Sequence, residues 1–200
     1  MRFHSVPAWV GLQGASLQVP GHGEVIVDVA YGGNLFVSAW AEHLEVELAP
    51  GNMAAVIDAA MAVRHAAADK LVVRSPETGD RYDIAAVSIL DAPHHEQPAL
   101  RNVHVFGPGL FSRSPGGTGA AARLAVMFAR GEIFAGDDVV IESAITNGTF
   151  GAKVIGQERA GTRNAIVTEI TGRAFVTGIH DFVFNDADPL DGGFLIGTED

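Results

Sequence analysis

A chain of 200 residues with 48% hydrophobic content has enough apolar material for one large domain or two small ones, and it is not a disordered segment. Its net charge of −11, from 13 Lys and Arg against 24 Asp and Glu with no basic run, argues against a nucleic-acid partner or an anionic membrane surface. The absence of cysteine excludes disulfides, thiolate metal sites and a thiol nucleophile within these residues.

The opening residues lack a continuous apolar stretch, and no window approaches the ~18 apolar residues of a membrane span. Neither a signal peptide nor a membrane partner is therefore expected, and a cytoplasmic location follows. Residues 3–10 and 16–19 read as short strands, the second ended by Pro20-Gly21. Residues 24–31 alternate, with Val25, Val27 and Val29 on one face, and residues 35–40 follow after Gly32-Gly33-Asn34, which predicts a hairpin with the glycine pair as its turn. Pro50-Gly51-Asn52 caps a helix over 53–68, in which Met53, Val56, Ile57, Ala60 and Met61 recur at helical spacing opposite Asp58, Arg64, His65 and Asp69. Further strands are predicted at 70–74, 84–90, 100–106, 139–143, 149–155, 165–170 and 174–184. The linkers are residues 92–98, 107–109 and 185–193, none long enough to mark a domain boundary. His94-His95 lies in the first of these with no third ligand at suitable spacing, and the other histidines, His4, His22, His43, His65, His104 and His180, are scattered, so no metal site is expected.

The remaining stretch begins Ser112-Arg113-Ser114-Pro115-Gly116-Gly117-Thr118-Gly119 and continues to Arg130 with only Arg123 interrupting small and apolar residues. Ser114 suits an N-cap, Pro115 a first helical position and Gly131 a stop, which predicts a glycine-rich loop opening a buried helix. Free N–H groups at such a start favour a carboxylate or phosphate, although an ordinary structural turn has the same composition. Ser114 is not in a Gly-x-Ser-x-Gly elbow, which argues against a serine hydrolase. Many short strands with two helices give an α+β fold, a mixed, mostly antiparallel sheet curled around that helix.

The segment 113–119, with Arg123 and Ala129-Arg130-Gly131-Glu132, resembles a signature of the proline racemase family, which includes 4-hydroxyproline 2-epimerases and trans-3-hydroxyproline dehydratases. Similar segments, in the same order, are Val29-Ala30-Tyr31-Gly32-Gly33-Asn34, Leu100-Arg101-Asn102-Val103, Ile141-Glu142-Ser143 with Thr149-Phe150, and Thr177-Gly178-Ile179-His180. The resemblance covers the family's C-terminal half. The N-terminal lobe, with its Cys-Gly-His signature, is not among these residues.

The resemblance implies a diaminopimelate-epimerase-like lobe, one of two around a cleft that holds the substrate. Two thiols on opposite faces of an amino-acid α-carbon exchange its proton, and no cofactor is needed. The second thiol's position corresponds to Gly116, and an acidic position to Ser112; backbone N–H groups of Gly117, Thr118 and Gly119 would hold the substrate carboxylate, and Phe106 would line the pocket. A proline- or hydroxyproline-type partner is implied, with no isomerisation by this chain alone. Two alternatives stand beside this reading: a one-base hydroxyproline dehydratase completed by a separately encoded N-terminal lobe, and a non-catalytic carboxylate-binding protein. Residues 1–181 are read as one lobe. Residues 182–200, which include Phe182, Phe184, Leu190, Phe194, Leu195 and Ile196, are expected to pack on a partner lobe, either in a homodimer or on the missing N-terminal half.

Overall fold

The computed structural model describes residues 1–93, 100–190 and 193; His94, His95, Phe194, Leu195 and Ile196 lie outside the described residues. In chain order the elements are β1 (Arg2–His4), β2 (Trp9–Val19), β3 (Gly23–Tyr31), β4 (Leu35–Trp40), α1 (Met53–Lys70), β5 (Ile84–Asp91), β6 (Leu100–Phe106), β7 (Leu110–Phe111), α2 (Gly117–Ala129), β8 (Asp138–Ser143), β9 (Thr149–Ala160) and β10 (Arg163–Thr171). The strands form one mixed sheet in the order β1-β10-β9-β8-β6-β5-β4-β3-β2, with β7 paired on β6.

Among the described residues the parallel pairs are β4–β5 and β6–β8, and each is bridged by a helix, as a parallel connection requires. Both crossovers step in the same direction along the sheet, but β5 and β6 are antiparallel, so the right-handed rule places α1 and α2 on opposite faces. Strand alternation then divides the core. Val103 and Val105 of β6, Val87 and Ile89 of β5, and Val25, Val27 and Val29 of β3 pack with Val56, Ala60 and Val63 of α1. On the other face, Ala30, Phe36 and Ala86 pack with Ala122 and Val126 of α2, while Leu100 and Ile141 pack with Ala121 and Leu124. That second face also carries the buried polar side chains Asn102, His104 and Ser88.

Residues 2–19 link the two ends of the sheet. His4 pairs with Glu169 of β10, Ser5 N donates to Thr168 O, Ala8 exchanges two backbone bonds with Ile166, and from Trp9 onward the chain pairs with β3 instead. Where the chain leaves β10 after Ala8, a cavity of about 480 Å³ opens. Arg163 spans it by stacking 5.0 Å over Trp9 and donating to the Val10 carbonyl at 2.9 Å.

Several sequence expectations are corrected. The segment 16–19 is the end of one continuous strand from Trp9, which passes Gly11 and Gly14 through register shifts. Residues 70–74 form no strand, because α1 runs to Lys70 and only Arg74 makes an isolated bridge, to Arg81. Arg64 is not on a solvated face, since its Nε donates to the Ile84 carbonyl. Residues 174–184 form no strand either, and residues 173–190 are exposed with no neighbouring strand among the described residues.

The glycine pair turns the β3–β4 hairpin as expected, but Gly32 also has a packing role. A Cβ there would overlap the Thr118 carbonyl oxygen and come within 2.5 Å of the Ala122 nitrogen, so α2 can lie directly on the turn. Because both obstacles are backbone, Gly32→Ala should cost on the order of 2–3 kcal/mol. Urea denaturation should show this as a lowered midpoint with an unchanged m-value.

Candidate functional site

The segment between β7 and α2 is held by its carbonyls. The Arg113 oxygen accepts hydrogen bonds from Ser143 Oγ (2.9 Å) and Thr146 Oγ1 (2.7 Å). The Pro115 oxygen accepts from His104 Nε2 (2.7 Å) and Asn102 Nδ2 (3.3 Å). With these carbonyls turned toward the sheet, the planar peptide that follows each one directs its N–H the other way. Gly116 N–H rests on Ser114 Oγ at 3.3 Å. The N–H groups of Gly117, Thr118 and Gly119 open α2 and have no intrahelical acceptor.

This arrangement displaces the predicted cap. The helix begins at Gly117, not Pro115, and its N-cap is Gly116 with φ 80° and ψ 133° and no side-chain cap. The inward Pro115 carbonyl is committed to β6 and cannot enter the helical ladder, which moves the start two residues on. At the other end Gly131, with φ 71°, follows the C-cap Arg130 as expected. Between the ends α2 buries residues 119–127, including Arg123, which lies 3.6 Å from Asp28 and 3.5 Å from Glu132.

Beneath the loop lies His104. Its Nδ1 is 2.8 Å from Ser88 Oγ, its ring meets Phe36 edge-on at 5.4 Å, and the residue is 1% exposed. Because a carbonyl only accepts, Nε2 carries the proton, and with the ring neutral Nδ1 accepts from the Ser88 hydroxyl. Burial pushes its pKa from 6.5 down to about 4, against the upward pull of the Pro115 carbonyl.

Of the residues singled out in the sequence, Ser112, Gly116, Gly117, Thr118 and Gly119 fall together in this loop and helix start. Thr118 is exposed, Gly117 is half-buried, and Gly119 is buried. The Ser112 hydroxyl turns back onto the loop, within 3.2 Å of the Ser114 carbonyl and backbone nitrogen. Phe106 stands apart from them, packed against the cluster of Ala30, Phe36, Ala86, Ala122 and Val126. Sequence reasoning missed the supports Ser88, His104 and Thr146, and Phe3, whose ring lies 3.1 Å from where a Gly117 Cβ would be. One signal for His104 was available, since residues 102, 104 and 106 share a face of a strand otherwise composed for burial.

The match to known proteins agrees with this layout. A family model described as proline racemase matches residues 1–195. The chain belongs to the proline racemase family. It is 34% identical over 194 residues to the proline racemase of Clostridioides difficile, covering 97% of this chain and 58% of that protein. It is 32% identical over 197 residues to the human trans-3-hydroxy-L-proline dehydratase, covering 98% and 56%. A crystal structure of a hydroxyproline epimerase from Agrobacterium vitis with bound trans-4-hydroxy-L-proline superposes with a TM-score of 0.82 at 30% identity, covering 98% of this chain and 55% of that one. The chain thus spans a little over half the length of these relatives. The mixed sheet with two helices among the described residues matches the fold of that structure. No described helix is long and apolar enough to cross a membrane.

The buried imidazole sets a pH dependence. Above pH 6.5 His104 is neutral whether the chain is folded or not and contributes no slope. Between pH 6.5 and about 4 the unfolded chain takes up a proton that the folded ring does not, so this site lowers stability by about 3 kcal/mol across the window as pH falls. His104→Gln removes that component. The stability difference between wild type and variant, from urea denaturation at pH 7 and pH 4.5, should therefore shrink on acidification; a constant difference would contradict a neutral buried ring.

Proposed function

We propose that these residues are the carboxylate-binding lobe of a cofactor-independent isomerase of the racemase and epimerase type, directed at proline or hydroxyproline. In this reading the sheet curls around α2, Gly116 stands at the family's thiol position, and the chain alone does not racemise. The observation that carries the proposal is the loop: the carbonyls of Arg113 and Pro115 are turned inward by four donors, while the N–H groups of Gly117, Thr118 and Gly119 have no acceptor among the described residues at the start of a thirteen-residue helix. Such a helix start binds anions through both its free donors and its dipole. Beside it the exposed Phe3 ring, 3.1 Å from where a Gly117 Cβ would be, is an apolar surface suited to the ring of a proline-type ligand. The ligand in the Agrobacterium vitis epimerase has that chemistry.

Removing an α-proton needs an aligned base. The chain has no cysteine, Gly116 has no side chain, and the nitrogens of His104 are both engaged below the loop. The Ser112 hydroxyl serves the loop itself, and Phe106 supports α2 from the side. Similarity to the human dehydratase favours, as a second reading, a one-base dehydration completed by a separately encoded lobe that supplies the thiol.

Two measurements test the proposal. Proline and trans-4-hydroxy-L-proline incubated in deuterated water with the purified chain should gain no enzyme-dependent α-deuterium; gain of label would overturn the assignment of an inactive lobe. Titration with pyrrole-2-carboxylate should move the amide resonances of residues 116–120, with weak affinity. Shifts confined to other residues would remove the carboxylate site.

The exposed segment after β10 supports a partner. Phe175, Val176, Ile179, Phe182, Val183 and Phe184 are 79% to 92% exposed, and each such side chain gains roughly 1.5–3 kcal/mol on full burial. Phe182, Phe184 and Leu190 are therefore assigned to packing on another lobe, either a second copy exchanging tails or an N-terminal lobe. Light scattering at tens of micromolar should give a dimer for the full chain and a monomer after removal of residues 182–200. A monomeric full chain, or a truncated dimer, would rule out exchange between copies.

A further inference from the structure

We propose that His104 is the positioning residue of the Gly116 loop: its imidazole fills the volume that a side chain at residue 116 would need, and its Nε2–H holds the Pro115 carbonyl inward. Ring and side chain are thus alternative fillings of one space. A Cβ built on Gly116 would overlap His104 Cδ2 and Nε2, and one built on Gly119 would overlap Cε1 and reach Nε2 at 2.5 Å and Nδ1 at 2.9 Å. The ring is therefore wedged between the two glycines. It cannot retreat, because Ser88 Oγ binds Nδ1 on the far side and Phe36 meets the ring edge-on.

The same wedge acts on the backbone. Two donors on one carbonyl, His104 Nε2 and Asn102 Nδ2, fix the plane of the 115–116 peptide, and polarisation through that peptide strengthens the Gly116 N–H as a donor. Gly116 then takes φ 80°, a conformation open to glycine, and the chain enters α2 with its next three N–H groups unpaired among the described residues. A side chain at 116 would need a different φ and an empty space below. Restoring a thiol at this position therefore also requires shrinking residue 104.

Two arms test this, and only the second rests on the carboxylate-binding reading. In the first, Gly116→Ala, His104→Ala and the double variant are compared by urea denaturation and by amide spectra without ligand. Gly116→Ala alone should lower the folded-to-unfolded ratio and shift the resonances of residues 114–120, and in the His104→Ala background its effect on that ratio should be at least tenfold smaller. Equal effects in both backgrounds would overturn the shared-space assignment. Should the double variant fail to fold, Gly116→Ala with His104→Asn, which removes the ring and keeps a donor, answers the same question.

In the second arm, the Kd for pyrrole-2-carboxylate is measured for His104→Gln, which keeps an N–H donor, and His104→Leu, which keeps bulk without one. Gln should stay within about threefold of wild type, while Leu, with an intact circular-dichroism spectrum, should bind at least tenfold more weakly. Wild-type affinity in the Leu variant would overturn the positioning role. Loss of binding in wild type as well would overturn the carboxylate reading, with the first arm still deciding the place of the imidazole.

Discussion

The carbonyl of Pro115 points into the protein, and the loop is built around that fact. An inward carbonyl needs donors in a place that water does not reach, and β6 supplies them from one face, Asn102 and His104 two residues apart. The imidazole that donates is too large to leave space for a side chain above it, so the residues on either side of it, 116 and 119, are glycines. A helix whose first residues are glycine has little intrinsic tendency to start there. What holds it is the burial of residues 119–127 against the sheet, so packing sets the position that propensity leaves open.

Buried charge fixes the same helix in register. Arg123 of α2 and its C-cap Arg130 both approach Asp28 of β3, the latter at 2.7 Å, and Asp28 also accepts the Gly14 N–H at 2.9 Å. Burial works against the charge on Arg123, while Glu132 and Asp28 support it. A second cluster ties β5, β6 and β8 together: Arg101 reaches Asp91, the carbonyls of Leu48 and Ala144, and Glu142 at 3.5 Å. Such groups add little net stability over an apolar core, but removing one partner leaves a desolvated charge, so they act against misregistered packing.

Elements with a strong period were legible in the sequence. Both helices, the β3–β4 hairpin and the strands at 84–90, 100–106 and 139–143 follow from alternation, helical spacing and turn residues. The departures have physical causes. The sequence reading placed separate strands at 3–10 and 16–19, but Trp9–Val19 is continuous, because shifts in pairing carry the strand past Gly11 and Gly14. The start of α2 was read from the Ser-Pro signal, which cannot reveal that β6 takes the Pro115 carbonyl. Of the candidate site, the glycines and Thr118 could be found because they are consecutive. The strand face shared by residues 102, 104 and 106 hinted at His104, but its contact with Ser88 is a register partnership made only when β5 and β6 pair, which no local pattern encodes.

The run from residue 2 to 19 has a kinetic consequence. Its first residues pair with 163–171 and its last with 23–31, so one end of the sheet closes over a local hairpin and the other over more than a hundred and fifty residues. Loop closure on that scale is entropically slow compared with a hairpin. During synthesis the β2–β3–β4 meander and the α1 layer can form while the ribosome is still making β8 to β10. The contacts of α2 with β9 and β10 cannot form until the segment ending at Thr171 has emerged. Until then the apolar face of α2 and the run 2–8 lack their partners, and unpaired edges and exposed apolar surface of that kind are what favour aggregation during folding.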